Sequence, residues 1–252
     1  TAQAATFVGG DYGGSDLLPA NGDVLVGTFT NVGLFSVAAG TTVTVDDGVA
    51  LEVFATNIAI DGTLDATAMG YDGGVGGDHF GLQDGQPGSV PGFGSGGIKG
   101  NAVHPGGGAG GGYGSLGGIG GRGCCGQVVA TAGAIYGSTT LYADHDLGSG
   151  GGGGGAHTQV GIVGHGGVGG DGGGAIFLEA TDTINVGGVL TADGVAGTQG
   201  PFNGGHSGGG GGGGSGGSIV LFASTVTLSN TLSASGADGG LTGTALAAGG
   251  AG

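Results

Sequence analysis

Histidine is the residue in this chain best suited to chemistry, and six occur: His79, His104, His145, His157, His165 and His206. Imidazole suits zinc or copper, but a metal centre needs ligands that converge, usually announced by short fixed spacings. Only Asp144-His145-Asp146 forms a local group, and the six are spread through glycine-rich sequence. The expectation is hydrogen-bonding roles and no metal centre. Aspartates sit in glycine turns such as Asp46-Asp47-Gly48 and Asp61-Gly62. Asp is a good turn former, which accounts for them without a ligand. Calcium is the one cofactor such carboxylates leave open.

The two cysteines, Cys124 and Cys125, are adjacent and cannot staple distant parts of one chain. A vicinal disulfide, a bridge between subunits and two reduced thiols are all open. Catalytic patterns fail individually. A phosphate loop needs Gly-Lys-Ser/Thr, whereas Lys99 is followed by Gly100 and Asn101. No Ser-His-Asp or Cys-His set can be argued from spacing. Carbohydrate-active β-helices use cations or paired carboxylates; with no Lys/Arg cluster and Asp mostly in turns, that class is a minor alternative. Thr-x-Thr pairs at Thr28, Thr42, Thr181, Thr225 and Thr242 share no common place in the repeat described below, so no ice-binding array is expected. The reading is that the chain is not an enzyme.

Composition limits the partners. Two basic residues, Lys99 and Arg122, stand against 18 acidic ones, a formal net charge of −16. Nucleic acid and anionic membranes need clustered Lys and Arg and are not expected partners. No apolar stretch approaches the ~18 residues of a membrane span, so no membrane insertion is expected. The sequence opens at Thr1, which we read as the product of signal-peptide removal, hence secretion or cell-surface display.

What must position these groups is β-structure. Val24 and Val26, Val43 and Val45, Leu51 and Val53 alternate with period two. Helix formers are scarce and glycine interrupts nearly every helix-length window, so almost no α-helix is expected. Three segments share one frame. Its positions are Leu51, Val53, Ala55, Ile58, Ile60, Gly62, Leu64 and Ala66; then Ile176, Leu178, Ala180, Ile184, Val186, Gly188, Leu190 and Ala192; then Ile219, Leu221, Ala223, Val226, Leu228, Asn230, Leu232 and Ala234. Short strands with alternate apolar side chains and small corner residues are what one coil of a parallel β-solenoid requires. Residues 24–45 read as a further, imperfect coil.

Glycine fills the rest, 77 of 252 residues. Ordering one backbone residue costs ~1–2 kcal/mol, and glycine loses most freedom of all. An insertion of more than 100 residues without structure would be implausible in a compact chain. Packed polyproline II helices of glycine, rising ~3.1 Å per residue and bonded only to neighbours, are the expected solution; a flexible linker is the alternative. The expected layout is a single domain over 1–252: solenoid coils at 24–70 and 173–236, a glycine-rich insertion at 71–172 and a glycine-rich tail at 236–252.

The Ile-x-Leu-x-Ala strands, the Leu-x-Ala-x-Gly endings, the glycine run 150–155 and the Gly133 to Gly137 segment followed by Leu141 resemble the glycine-rich β-helical secreted proteins of bacterial surfaces. The resemblance runs from about Val24 to the end and transfers no functional residue. It implies an extracellular fibre or adhesin with polyglycine segments. Two expectations follow. The first is a self-assembling subunit of a filament or surface matrix, whose partner is itself; solenoid ends left open are templates for another chain, and the uncharged stretch 1–8 is suited to add as a strand to a neighbour. The second is an adhesin tip binding glycans or a cell-surface receptor through Tyr71, Phe80, Phe93, Tyr113, Tyr136, Tyr142 and Phe202.

Overall fold

The computed structural model describes residues 4–78, 84–89, 91–100, 105–123, 128–137, 146–157, 164–203, 206–241 and 249–252, with the backbone alone at 202–203 and 206–207. Among them there is no helix. The strands are β1 (Thr6–Asp11), β2 (Val24–Val37), β3 (Thr42–Val45), β4 (Leu51–Ile60), β5 (Thr63–Asp65), β6 (Ala175–Val186), β7 (Val189–Thr191), β8 (Phe202–Asn203), β9 (His206–Ser207), β10 (Ser218–Phe222), β11 (Thr225–Leu228) and β12 (Leu232–Ser233). Ten of them form one parallel sheet, β10-β6-β4-β2-β3-β5-β7-β12, with β1 beside β2 and β11 beside β6. β8 and β9 pair antiparallel. The wide sheet folds round into a solenoid-like shape.

Each coil carries the alternation seen in the sequence. In β4, Leu51, Val53, Ile58 and Ile60 are buried while Glu52 and Phe54 between them are partly open. The repeated frame pairs in register: Leu51 with Ile176, Val53 with Leu178, Ile58 with Ile184, and Leu64 with Leu190. The last coil continues it, Ile219 against Ile176, Val226 against Ile184, and Leu232 against Leu190. Residues 24–45 form the coil before, with a register shift between Phe29 and Val32 that absorbs its irregular length. Thr183 pairs with Thr225 and Asn185 with Thr227, so the pairs Thr181-x-Thr183 and Thr225-x-Thr227 stand two residues out of step in the stack. Inside lies one continuous core that includes Phe29, Phe35, Leu51, Ile58, Leu64, Ile176 and Ile184.

From Thr6 onward the stretch 1–8 forms β1 on one side of the first coil, where Thr6, Phe7 and Val8 pair with Val24, Leu25 and Val26. The physical reason is Asp23. It is 4% exposed, and its two carboxylate oxygens accept the N–H groups of Ala5 and Ala20, both at 2.7 Å, which draws the N-terminal strand onto the first coil. A hydrogen bond to an ionised carboxylate is roughly twice as strong as a neutral one.

The glycine excursions leave the coils just after Leu64-Asp65-Ala66, Leu190-Thr191-Ala192 and Leu232-Ser233-Ala234, and the first two return at Gly174 and Gly217. They therefore lie beside one another along the same edge of the solenoid.

Candidate functional site

The tract 148–155 shows how the glycines are held. Gly148, Gly151 and Gly154 donate to the carbonyls of Gly173, Gly170 and Gly167 at 2.7, 2.9 and 2.8 Å. The same three residues accept from the N–H groups of Tyr71, Gly74 and Gly77 at 2.9, 2.8 and 2.8 Å. Gly152 and Gly155 turn to other neighbours, donating to Ala109 and Gly106 and accepting from Gly212 and Gly209. Gly153 donates to Gln86 and accepts from Gly97. Every third residue thus addresses the same neighbouring segment. Buried backbone polar groups must be paired, and here the pairing is wholly lateral.

Closeness is enforced by the missing side chain. A Cβ built on Gly151 would strike the carbonyl of Gly212, on Gly154 that of Gly209, on Gly212 that of Ala109, and on Gly169 that of Gly151. Any Cβ would push these segments apart and break the bonds between them.

Two serines interrupt the tracts and face each other. Ser149 is wholly buried and Ser215 is 4% exposed. The N–H of Ser149 donates to the Ser215 hydroxyl at 2.8 Å, and the Ser149 hydroxyl lies 2.9 Å from the Gly92 carbonyl and 2.6 Å from that of Gly112. The sequence reading missed both, although their signal was present: single Ser residues inside otherwise unbroken glycine runs.

Aromatic residues lie at the rim of this body. Tyr113 and Tyr136 pack edge to face, centroids 5.0 Å apart at 74°. The Tyr136 hydroxyl donates to the Leu147 carbonyl. Burial pushes its pKa well above the usual tyrosine value, against a lowering by the Ser149 hydroxyl. Tyr71 is partly buried and Phe93 is 37% exposed. Phe80 and Tyr142, and the side chain of Phe202, lie outside the described residues. Leu116, Ile119, Val128 and Ile135 are each more than half exposed.

Of the other residues singled out from the sequence, those among the described residues form no cluster. His157 is buried, its N–H donating to the Gly164 carbonyl at 2.7 Å, while the exposed His165 lies 3.4 Å from Asp78. His79, His104, Asp144, His145, Cys124 and Cys125, and the side chain of His206, lie outside the described residues. Asp46 and Asp47 form a turn in which Gly48 has φ 68. Partial burial, then the charges of Asp72, Asp171 and Asp46, raise the Asp47 carboxyl above its ordinary range. Among the described residues no group of three or more His, Cys, Asp or Glu is placed to hold a metal ion, and no helix is long and apolar enough to cross a membrane.

Among the described residues the surface carries shallow clefts. One of about 200 Å³ lies between Tyr113, Ser215 and Gly252, one of about 250 Å³ between Phe93 and Thr131, and one of about 180 Å³ between Phe54 and Glu179. Each is below the ~300–1,000 Å³ typical of small-molecule sites. No protein-family model matches the chain, and no curated protein or solved structure matches it.

Proposed function

We propose that this chain is an extracellular structural protein, a self-assembling subunit of a fibre or surface matrix, in which the glycine tracts run as polyproline II helices packed side by side. The observation that carries the reading is the lateral bonding of 148–155, where every third residue bonds the same neighbour. A three-residue turn without internal hydrogen bonds is the geometry of that helix. Packed this way, backbone alone forms a second core beside the coils. Such a body is stiff and presents few charges, 8% of its residues, and only two sites for trypsin, Lys99 and Arg122. These traits suit a building block outside the cell.

Negative-stain microscopy and native amide exchange test it together. Fibres, with slow exchange at Gly151, Gly154, Gly209 and Gly212, are the expected result. Discrete particles at every concentration would remove self-assembly, and rapid exchange at those glycines would remove the packed-helix core.

A second reading is an adhesin tip that binds a glycan or a receptor. The exposed Leu116 and Ile135, three and one residues in the chain from the paired Tyr113 and Tyr136, favour it, because exposed apolar side chains near aromatic residues suit a binding surface. Discrete particles that bind a glycan array and lose binding with Ile135→Asp would support this reading over the first.

A further inference from the structure

The last coil repeats the frame of the two before it, yet its inward positions are not covered. Ile184 and Val186 are 0% and 1% exposed, whereas their partners Val226 and Leu228 are 39% and 51% exposed. Ile219, Leu221 and Leu232 pack only partly against the core. Among the described strands, β10 and β11 pair with β6 alone and β12 with β7 alone, so the last coil's outer strand edges face away from the stack. Among the described residues nothing lies over them; residues 249–252 sit in the glycine slab, where Gly252 donates to the Ala237 carbonyl at 2.6 Å.

The opposite end differs. Leu17 is 1% exposed and bridges to Phe35, while Phe7 and Tyr12 pack partly against the core, Tyr12 with its ring 5.8 Å from Phe29. Phe7 stands over Leu25 in the stack. Leu17 is covered, and what this end offers is the partly buried Phe7 and Tyr12 together with the outer edge of the parallel strand β1.

We infer that the C-terminal coil (β10, β11 and β12) is the docking site for the N-terminal coil of a second copy of this chain, stacked head to tail as one more solenoid step. The inference rests on the self-assembly reading and names its interface. The occupant is argued from continuity. Every pairing between successive coils within the chain is parallel, the pairing of the last coil runs without a register shift, and the two ends present opposite edges of that same ladder. An antiparallel or unrelated strand would not continue the inward line of Ile58, Ile184 and Val226. Because the two surfaces differ, the contact is heterologous and each addition exposes a fresh copy of the site. Growth is then linear and open-ended.

The test uses the full chain carrying Val226→Lys with Leu228→Lys, beside the wild type. The variant is expected as discrete particles that keep slow exchange at Gly151 and Gly212. Its N-terminal end is intact, so one part of variant in ten of wild type should cap growing fibres and shorten them several-fold. Should the double variant lose the slab's protection, the single substitution Leu228→Gln takes its place in the same mixing experiment. Wild-type fibres with a variant that polymerises equally, or with fibre length unchanged by mixing, would overturn this interface and leave self-assembly standing. A wild type that never polymerises would overturn both.

Discussion

The Thr191 hydroxyl donates to the Asp65 carboxylate at 2.8 Å although the two residues are 126 positions apart. Thr183 and Asn57 are joined in the same way at 2.8 Å over the same separation. Successive coils therefore meet as if the intervening glycine-rich excursion were absent. The ends of the excursion return to one place, where the Gly70 N–H donates to the Gly172 carbonyl and the Gly174 N–H to that of Ala66, at 2.8 and 2.7 Å; closure entropy grows only slowly with length and does not oppose so long an insertion.

The glycine slab should be intolerant of a single methyl group. Gly151→Ala places a Cβ against the Gly212 carbonyl, and overpacking of this kind costs about 1–3 kcal/mol or more. Gly114→Ala meets nothing within 4 Å and should stay within about 0.5 kcal/mol of wild type. Thermal unfolding of the two variants side by side checks this; equal melting temperatures would mean the tracts are not closely packed.

Asp23→Asn tests the clasp on the N-terminal strand. Asparagine has one acceptor oxygen where Asp23 uses two, for Ala5 and Ala20. One part-buried N–H loses a bond to a charged acceptor, at a cost of about 1–3 kcal/mol. Faster amide exchange at Ala5 or Ala20, with the glycine tracts unchanged, is the expected signature.

Alkaline titration should find Tyr136 ionising above the ordinary tyrosine range. Its folded pKa is raised above the ordinary 10 by burial. The folded state holds the proton more tightly, so its contribution is complete below pH ~10 and declines as pH rises above that value. Tyr136→Phe should remove this part of the alkaline destabilisation, read as a flatter melting-temperature profile above pH 10. An unchanged profile would place the sensitivity elsewhere.

Asp47→Asn should stabilise the turn at neutral pH. The folded carboxyl is raised by partial burial and then by Asp72, Asp171 and Asp46. A raised folded pKa means that the protonated form is the favoured one, and its benefit is lost as pH rises through that value. Removing the charge should raise the melting temperature at pH 7, by less in high salt, where like-charge repulsion is screened. A salt-independent difference would point to a local turn effect instead.

How much of this was legible beforehand follows from what side chains encode. Leu51, Val53, Ile58 and Ile60 announce a half-buried strand because alternate residues of a strand face opposite ways, and the recurring Leu-x-Ala endings align three coils before any coordinates are seen. Thr6 to Val8 could not be assigned in that manner: its partner is chosen by Asp23, whose role depends on burial and on two N–H groups from separate segments.

The amino-acid sequence by itself determined the period-two strands, the register of the coils and the exclusion of side chains from the glycine tracts. Only the tertiary structure decided which tract lies beside which, that Ser149 faces Ser215, and that Leu228 is left open while Val186 is covered. The reason is physical. An apolar side chain marks its own inward face, so a repeat of such marks fixes stacking locally. Glycine carries no mark of partner or direction, and its neighbours are selected collectively, when all the lateral N–H and C=O groups are satisfied at once.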